Sequence, residues 1–288
     1  MSLPRYLVTG ASGQLGRLVV AALAARAGAS KVTAVVRDPA RSASLFPDGV
    51  TLRQGDYEQP ATLDAAFAGA EHLLLISSNA LGSRVQQHRN AIDAAKRAGV
   101  KRIAYTSVLH ADVSKLGLAE EHRQTEALLE ASGLPFTLLR NGWYTENYTA
   151  SIPAALQHGA VIGSAGPGLI SSAARRDYAE AAAVALIEDT GSRTVHELAG
   201  DASYTLAEFA AELSRQSGKP ISYVNLPEAE YRAALIGAGL PEPLAALLAD
   251  SDAAAAQGAL WDDSRTLSRL IGRPTAPLSA TIAEALRA

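Results

Sequence analysis

The chain lacks cysteine entirely, since none of its 288 residues is one. This absence excludes disulfide bonds, thiolate zinc sites and a cysteine nucleophile. The Gly-x-Ser-x-Gly turn of serine hydrolases and the His-Glu-x-x-His helix of zinc peptidases are absent too. The six histidines do not have the spacing of a metal site. We therefore expect no metal centre and none of these hydrolytic reactions.

A strong excess of one charge sign is also missing. The 26 Lys and Arg residues and 29 Asp and Glu residues leave a formal net charge of −3, and no block of basic residues occurs. Binding to nucleic acid or to a membrane surface therefore has no electrostatic support. No apolar run has the length of a membrane span, and no basic-then-apolar signal segment opens the sequence. We expect a soluble, cytoplasmic protein that acts on a small molecule, and homo-oligomerisation is left open.

A glycine-rich loop lies between a predicted buried strand and a predicted amphipathic helix. The strand covers residues 6–8, the helix begins at Leu15, and glycines stand at positions 10, 13 and 16. We expect Gly10 to allow a tight turn, Gly13 to leave room for a pyrophosphate and to allow a positive φ, and Gly16 to let the helix approach the sheet. The first N–H groups and the positive dipole end of the helix then face the anion. Glycines also form ordinary turns, but the strand before and the helix after favour a dinucleotide site.

Predicted strands alternate with predicted helices along most of the chain. Such alternation favours right-handed βαβ units and a parallel sheet. We predict an α/β fold: a doubly wound parallel sheet (Rossmann-like) with a small, mainly helical second lobe. The NADP-binding Rossmann domain is assigned to residues 1–150, with 172–200 returning to it, and the substrate lobe to 201–288, with 151–171. In that lobe, Thr205 and Glu208 form a capping box that predicts a helix over 206–217. The strands are predicted at 6–8, 31–37, 50–54, 73–76, 102–107 and 136–140.

The residues after the second predicted strand bear on the choice between NAD and NADP. Arginine suits the 2′-phosphate of NADP, whereas an acidic residue accepts hydrogen bonds from the ribose of NAD. Arg37 stands here with Arg41 nearby, and Asp38 follows directly. Because Asp38-Pro39 suits the start of a short helix, we assign Arg37 to the phosphate; a solvated Arg37 is the alternative. Asp56, after the third strand, either lies near the adenine amino group or stabilises a turn.

Polar residues also follow the central strands, beyond whose carboxyl ends such sheets bind ligands. The aromatic pair in the last of these groups is suited to flank a nicotinamide or a flat substrate ring. The alternative is that Trp143 and Tyr144 only join the two lobes. The groups are Ser77-Ser78-Asn79, Thr106-Ser107 and Asn141-Gly142-Trp143-Tyr144-Thr145-Glu146.

A recognisable proton donor is missing. Short-chain reductases usually carry a tyrosine with a lysine four residues later, which lowers the tyrosine pKa. None of the nine tyrosines has that lysine. His122 and Glu126 lie one helical turn apart in the corresponding region. They either orient a proton donor or form a solvated pair on a polar helix face, and the solvated pair is favoured. No catalytic residue is assigned.

The glycine loop resembles that of the NmrA-like branch of the atypical short-chain dehydrogenases/reductases. Longer segments are similar to the NADPH-dependent type 2 quinone oxidoreductases within that branch, and the resemblance covers nearly the whole chain. That family itself lacks the Tyr–Lys pair. The segments are 73–78 (LLLISS), 104–112 (AYTSVLHAD), 137–147 (TLLRNGWYTEN), 249–252 (ADSD) and 262–274 (DDSRTLSRLIGRP).

The resemblance also implies which residues hold NADPH. In the family these are the glycine loop, the basic residue after the second strand, the Ser-Ser segment, the Asn-Gly-Trp-Tyr loop and an arginine that opens the returning helix. In this chain they fall on Gly10, Ala11, Ser12, Gly13, Gln14, Leu15, Arg37, Ser77, Ser78, Asn79, Asn141, Gly142, Trp143, Tyr144, Thr145, Glu146 and Arg175.

The resemblance implies an oxidoreductase that transfers hydride from NADPH to a quinone. A quinone is a strong electrophile whose reduced oxygens are weakly basic, so water can supply the protons and a Tyr–Lys pair is dispensable. The alternative is an NAD(P)-binding redox sensor that acts through a protein partner. A third hypothesis is a reductase of another planar electron acceptor, such as a dye.

Overall fold

The computed structural model describes residues 5–287, which contain nine strands and thirteen α-helices. Two short 3₁₀ turns, Ala29–Lys31 and Ala43–Leu45, follow α1 and α2. The strands are β1 (Tyr6–Val8), β2 (Val32–Val36), β3 (Thr51–Gln54), β4 (His72–Leu75), β5 (Arg102–Val108), β6 (Phe136–Asn141), β7 (Ala160–Gly163), β8 (Arg193–Leu198) and β9 (Ser222–Asn225). The helices are α1 (Gln14–Ala27), α2 (Pro39–Ser42), α3 (Pro60–Phe67), α4 (Arg84–Arg97), α5 (Ala119–Ser132), α6 (Thr145–Thr149), α7 (Ile152–His158), α8 (Arg175–Glu188), α9 (Leu206–Ser217), α10 (Glu228–Gly237), α11 (Glu242–Ala255), α12 (Thr266–Ile271) and α13 (Leu278–Ala285).

Seven strands form one sheet in the order β3-β2-β1-β4-β5-β6-β8. Successive neighbours from β3 to β6 pair in parallel. The direction of winding reverses between β1 and β4, which leaves a crevice at their carboxyl ends where ligands bind in such sheets. The doubly wound, Rossmann-like α/β fold is confirmed.

The buried character of the strands explains why they are readable in the sequence. Every residue of β1, β5 and β6 is buried, as expected for parallel strands covered on both faces. On one face, Phe67 of α3 and Ile92 of α4 belong to the same buried apolar cluster as Leu73 and Ile103 of the sheet. No helix within 5–287 is long and apolar enough to cross a lipid bilayer.

The described chain divides into two compact units. The first holds the seven-stranded sheet and comprises the residues up to Ala111, Glu121–Asn141 and Arg176–Glu197. The second comprises Asp112–Glu120, Gly142–Arg175 and the residues from Leu198 onward. Residues 142–150 and 172–175 lie in the second unit, whereas the sequence predicts them to lie in the Rossmann domain. The predicted domain boundaries stay a prediction.

The second unit is mainly helical and contains a small parallel sheet of β7 and β9. Its α9 begins at the predicted capping box, in which Thr205 accepts from the Glu208 N–H and the Glu208 carboxylate accepts from the Thr205 N–H. The sequence does not indicate β7. A glycine at 159 precedes the strand and Gly163 ends it, so only Val161 and Ile162 are strong strand formers.

Candidate functional site

The glycine loop turns sharply between β1 and α1. Gly10 adopts a φ of +59°, a left-handed conformation that favours glycine. A Cβ on Gly16 would lie 2.7 Å from the Ala11 Cα, so only glycine fits there. The buried Ala11 is tied to the sheet because its N–H donates to the Val35 carbonyl at 3.3 Å. The tight turn expected at Gly10 matches its conformation, whereas Gly16 is required by the close approach of α1 to the backbone of the loop itself.

Gly13 differs from expectation in its backbone. Its φ is −70° and its ψ is 167°, so the positive φ expected at this position is wrong, and Gly10 carries it instead. Gly13 is the N-cap of α1 and offers no side-chain oxygen to the first turn. The first N–H groups of a helix have no partners within the helix. Gly13 is exposed, as are Ser12 and Gln14, so the amino end of α1 is open to an anion.

Of the two charged residues that follow β2, Asp38 caps α2 as the sequence predicts, and the assignment of Arg37 to the 2′-phosphate stays a prediction. Asp38 is the N-cap of α2, and its Oδ1 accepts from the Arg41 N–H at 3.1 Å, with Pro39 in the first turn. The neighbouring Arg37 is exposed, and its carbonyl accepts from Gln54 Nε2 at 3.3 Å. Arg37 therefore presents its guanidinium to solvent at the carboxyl end of β2, where an NADP 2′-phosphate lies in this fold.

Asp56 stabilises a turn. Its Oδ1 accepts from the Glu58 N–H at 3.0 Å, and its own N–H donates to Thr62 Oγ1 at 2.9 Å. Both contacts fix the entrance to α3, which favours the turn interpretation over a contact with adenine.

The Ser77–Asn79 segment leaves the carboxyl end of β4, next to β1 in the sheet. The Ser77 N–H donates to Thr106 Oγ1 at 2.8 Å, so Thr106 of β5 fixes the start of the segment. The Ser78 N–H donates to His88 Nε2 at 3.0 Å. Asn79 is exposed. The segment therefore borders the crevice, and hydrogen bonds to Thr106 and His88 fix its backbone.

Asn141 ends β6 with a polar atom that lacks a partner. Its side chain is 6% exposed, and its Oδ1 has no hydrogen-bond partner within the described residues 5–287. A buried acceptor without a donor is costly. A bound group with an N–H or O–H would relieve this cost, so Asn141 fits a role in ligand binding.

The Gly142–Glu146 loop and Arg175 lie together in the second unit. The Thr145 N–H donates to the Ala173 carbonyl at 2.9 Å, and the Arg175 guanidinium stacks 4.7 Å from the centre of the Tyr144 ring. Both carboxylate oxygens of Glu146 accept from the Arg175 N–H, at 2.9 and 3.0 Å. Glu146 therefore caps the amino end of α8. Trp143 is buried, and the Gly142 N–H donates to the Leu198 carbonyl.

His122 and Glu126 do not form a solvated pair, so that interpretation is wrong. His122 is 4% exposed, and its Nδ1 lies 2.7 Å from the Tyr105 hydroxyl. Burial holds the His122 pKa well below its ordinary value. Glu126 accepts from Ser107 Oγ at 2.5 Å and from two nitrogens of Arg140 at 3.0 and 2.7 Å. The four-residue spacing of His122 and Glu126 does not reveal this arrangement, because the hydrogen-bond partners of both residues lie on β5 and β6.

Comparisons with known proteins identify the family. The model of an NAD(P)H-binding family matches residues 10–189. The chain belongs to this family. It is 56% identical over 275 residues to quinone oxidoreductase 2 of Escherichia coli, with 96% of each chain covered. It is 38% identical over 151 residues to an NmrA-like oxidoreductase of Aspergillus flavus, covering 50% of this chain and 49% of that one. The resemblance found in the sequence is confirmed.

Two solved structures of relatives are similar to this chain over nearly its full length, in agreement with its place in the NAD(P)H-binding family. The crystal structure of an E. coli NADPH-dependent quinone oxidoreductase with NADPH superposes with a TM-score of 0.94 at 54% identity, covering 98% of this chain and 99% of that one. A Citrobacter triphenylmethane reductase with NADP(H) gives a TM-score of 0.92 at 37% identity, covering 97% and 99%. The residues assigned above to NADPH stay a prediction, residue by residue.

Two residues of this NAD(P)H-binding chain that support the site were not identified from the sequence. The Tyr57 hydroxyl lies 2.6 Å from Thr9 Oγ1 and 2.7 Å from the Ile76 carbonyl, so it bridges the ends of β1 and β4. Burial raises the Tyr57 pKa well above its ordinary value, which keeps the hydroxyl protonated as a donor. His88 is the second such residue. The hydrogen-bond partners of Tyr57 and His88 are distant in the chain, so the sequence does not show which groups these two residues bind.

Proposed function

We propose that this protein is an NADPH-dependent quinone oxidoreductase. The observation that carries the proposal is the match, over nearly the full length of both chains, to a quinone oxidoreductase whose structure holds NADPH. The open amino end of α1, the exposed Arg37 and the unpartnered Asn141 Oδ1 fit that cofactor. When bound, NADPH supplies the hydride.

The chain's own residues contribute placement. The backbone of Gly10–Gly16 receives the diphosphate at the amino end of α1, because N–H groups there are directed at the anion. Arg37 pairs with the 2′-phosphate. Asn141 Oδ1 accepts a hydrogen bond from the bound ligand and holds its orientation. Holding reactants in a reactive geometry can lower the barrier by up to about 7–11 kcal/mol.

Proton supply needs no dedicated side chain in this proposal. His122 is buried and its lowered pKa keeps it neutral. Glu126 is engaged by Ser107 and Arg140. A reduced quinone is protonated by water, since its oxygens are weakly basic.

Steady-state oxidation of NADPH, followed by its absorbance against a panel of quinones, tests the proposal. We expect turnover with several quinones and a much lower kcat/KM with NADH. Tight NADPH binding without oxidation by any quinone would favour the alternative, a redox sensor that acts through a protein partner.

A second acceptor class has its own support. The triphenylmethane reductase named above is 37% identical to this chain. We therefore propose triphenylmethane dyes as secondary acceptors. Comparison of kcat/KM for a dye and for a quinone under the same conditions ranks the two classes.

The proposed partners and location follow from composition. We propose a cytoplasmic protein without nucleic-acid binding, supported by the net charge of −3 and the absence of a basic block. Homo-oligomerisation stays open, and light scattering on the purified protein measures the mass directly.

A further inference from the structure

His88 is a fully buried histidine that the proposed mechanism does not use. It lies on the inner face of α4, is 0% exposed, and packs edge to face on the Tyr105 ring with centroids 5.3 Å apart. Its Nε2 accepts from the Ser78 N–H at 3.0 Å. Its Nδ1 lies 2.9 Å from Thr125 Oγ1. Both ring nitrogens are therefore engaged by groups from different elements.

The hydrogen bonds fix where the imidazole proton sits. A backbone N–H can only donate, so Nε2 carries no proton and Nδ1 carries one. Thr125 Oγ1 accepts from Nδ1 because its own proton goes to the Glu121 carbonyl at 2.9 Å. Burial first, and the charge of Arg84 second, lower the His88 pKa to about 3, which keeps the ring neutral. The opposite tautomer would place two donors against each other at Ser78.

The same helix also holds the carbonyl of Ser78. Arg84 Nε donates to the Ser78 oxygen at 2.7 Å, and the Arg84 guanidinium lies 3.3 Å from Glu121. The Glu121 carboxylate in turn accepts from the Gly82 N–H at 2.9 Å. Both backbone polar groups of Ser78 are thus bound by side chains of α4, one turn apart. Within the loop itself, Ser78 Oγ accepts from the Ala80 N–H at the longer distance of 3.3 Å.

We propose that His88 is a positioning residue that holds the Ser77–Asn79 segment in its NADPH-binding conformation before the cofactor arrives. This inference rests on the proposed NADPH-dependent function. The segment leaves β4 beside the crevice. Without the hydrogen bond to His88, the segment would lose conformational entropy when NADPH binds, and this loss would weaken the affinity. Pre-ordering by His88 removes that cost from the cofactor affinity. Thr125 acts through His88 by selecting the tautomer that accepts from Ser78.

The test compares His88→Phe with a matched substitution at the amino end of β4, the strand that precedes the Ser77–Asn79 segment. His72 begins β4, is half-buried, and its Nδ1 lies 3.1 Å from the Leu186 carbonyl. Both replacements keep a ring and remove hydrogen bonds, so both lower the melting temperature. We expect the NADPH Kd, measured by fluorescence titration, to rise about tenfold or more in His88→Phe and to stay within about twofold in His72→Phe.

Rescue by a conservative variant separates positioning from packing. The amide oxygen of His88→Gln reaches the place of Nε2 and accepts from Ser78, so its Kd should return to within about threefold of the wild-type value. Long-range ¹H–¹⁵N NMR of the protein without NADPH should show His88 as the neutral Nδ1–H tautomer. An Nε2–H tautomer, or unchanged NADPH affinity in a folded His88→Phe, overturns the inference.

Two further outcomes are distinguishable. If His88→Phe does not fold, Thr125→Val decides, because it keeps the His88 ring and removes the acceptor for Nδ1–H, together with the hydroxyl donor to the Glu121 carbonyl of the same helix: a Kd about threefold weaker or more supports the inference, and an unchanged Kd overturns it. Failure of the wild-type protein to bind NADPH overturns both the proposed function and the inference. Normal wild-type binding with normal binding by His88→Phe overturns the inference alone.

Discussion

At the residue scale, two neighbours after β2 have separate tasks. Asp38 caps α2 through its Oδ1, and the adjacent Arg37 is exposed and is the residue that we propose binds the 2′-phosphate. The cap holds the Asp38 carboxylate at the amino end of α2, so in this proposal Arg37 is the residue that selects NADPH over NADH.

Replacement of Arg37 tests that arrangement. A charge-assisted hydrogen bond contributes about 1.5–3 kcal/mol, so Arg37→Ala should weaken NADPH binding by about tenfold to a hundredfold. NADH affinity should barely change, because NADH has no 2′-phosphate. Calorimetric titration with both cofactors is the measurement. Equal losses for both would show that Arg37 does not contact the 2′-phosphate.

Candidate proton donors are also tested at this scale. His122→Phe and Tyr144→Phe should each keep kcat with a reactive quinone within about tenfold, because a general acid contributes little when water can protonate the product. Tyr144→Ala removes the whole ring and should raise KM for the quinone. Steady-state kinetics at saturating NADPH measure both parameters. A loss of about a thousandfold in kcat with unchanged KM would identify an essential acid.

At the scale of single elements, helix ends carry much of the site. The amino end of α1 lacks a side-chain cap, whereas α2, α8 and α9 have Asp38, Glu146 and Thr205 as caps. The glycine spacing was enough to predict the uncapped end of α1. The cap on α8 was not predictable, because Glu146 lies 29 residues before Arg175 and meets it only in the fold.

A carboxylate introduced at Gly13 should replace the phosphate at the amino end of α1. Gly13→Asp therefore should weaken NADPH binding by about a hundredfold while circular dichroism stays unchanged. Gly237→Asp adds the same charge on α10, where a Cβ meets nothing within 4 Å, and serves as the control. Normal NADPH binding by a folded Gly13→Asp would place the phosphate site elsewhere.

Removal of the α8 cap should cost stability. Glu146→Ala leaves the Arg175 N–H without its carboxylate and should lower the free energy of unfolding by about 0.5–2 kcal/mol. Glu146→Gln keeps an acceptor oxygen and should lose about half as much. Urea denaturation measures all three proteins. Equal stability of Glu146→Ala and the wild type would show that solvent replaces the cap.

At the scale of the whole molecule, the two units differ in how much of each is readable from sequence. The central strands β1, β5 and β6 of the first unit are buried along their whole length, and their alternation with helices predicts parallel pairing. In the second unit, β7 has two strong strand formers, and α10 has no buried residue within its bounds. The strand β7 is stabilised by pairing with β9, about 60 residues later, and hydrophobic periodicity does not reveal such a partner. The role of His88 could not be predicted from the sequence either, since its hydrogen-bond partners Ser78 and Thr125 lie outside α4.

Stability of the whole chain should depend on one buried acid of the second unit. Burial raises the Asp252 pKa from 3.8 to about 6, although Ser164 N–H and the Tyr148 hydroxyl both donate to it. Between these two values the unfolded chain releases this proton more readily than the folded one. The contribution of Asp252 therefore falls as pH rises from about 4 to about 6, and it stays unfavourable above that range.

Asp252→Asn removes this ionisation and should stabilise the protein at pH 7 by up to about 2–3 kcal/mol, with no gain near pH 4. Chemical denaturation across this pH range measures the difference. The exposed Asp263→Asn serves as the control and should show no such pH-dependent gain. An equal gain at both pH values would assign the effect to packing.

The Tyr57 hydroxyl spans the ends of β1 and β4, where the cofactor crevice opens. One phenol therefore joins the residue that follows β1 to the residue that follows β4. The glycine loop and the Ser77–Asn79 segment begin directly after these two residues. A displacement of either segment that moved Thr9 or Ile76 would break a hydrogen bond of Tyr57, so the positions of the two segments are coupled through a side chain that belongs to neither of them.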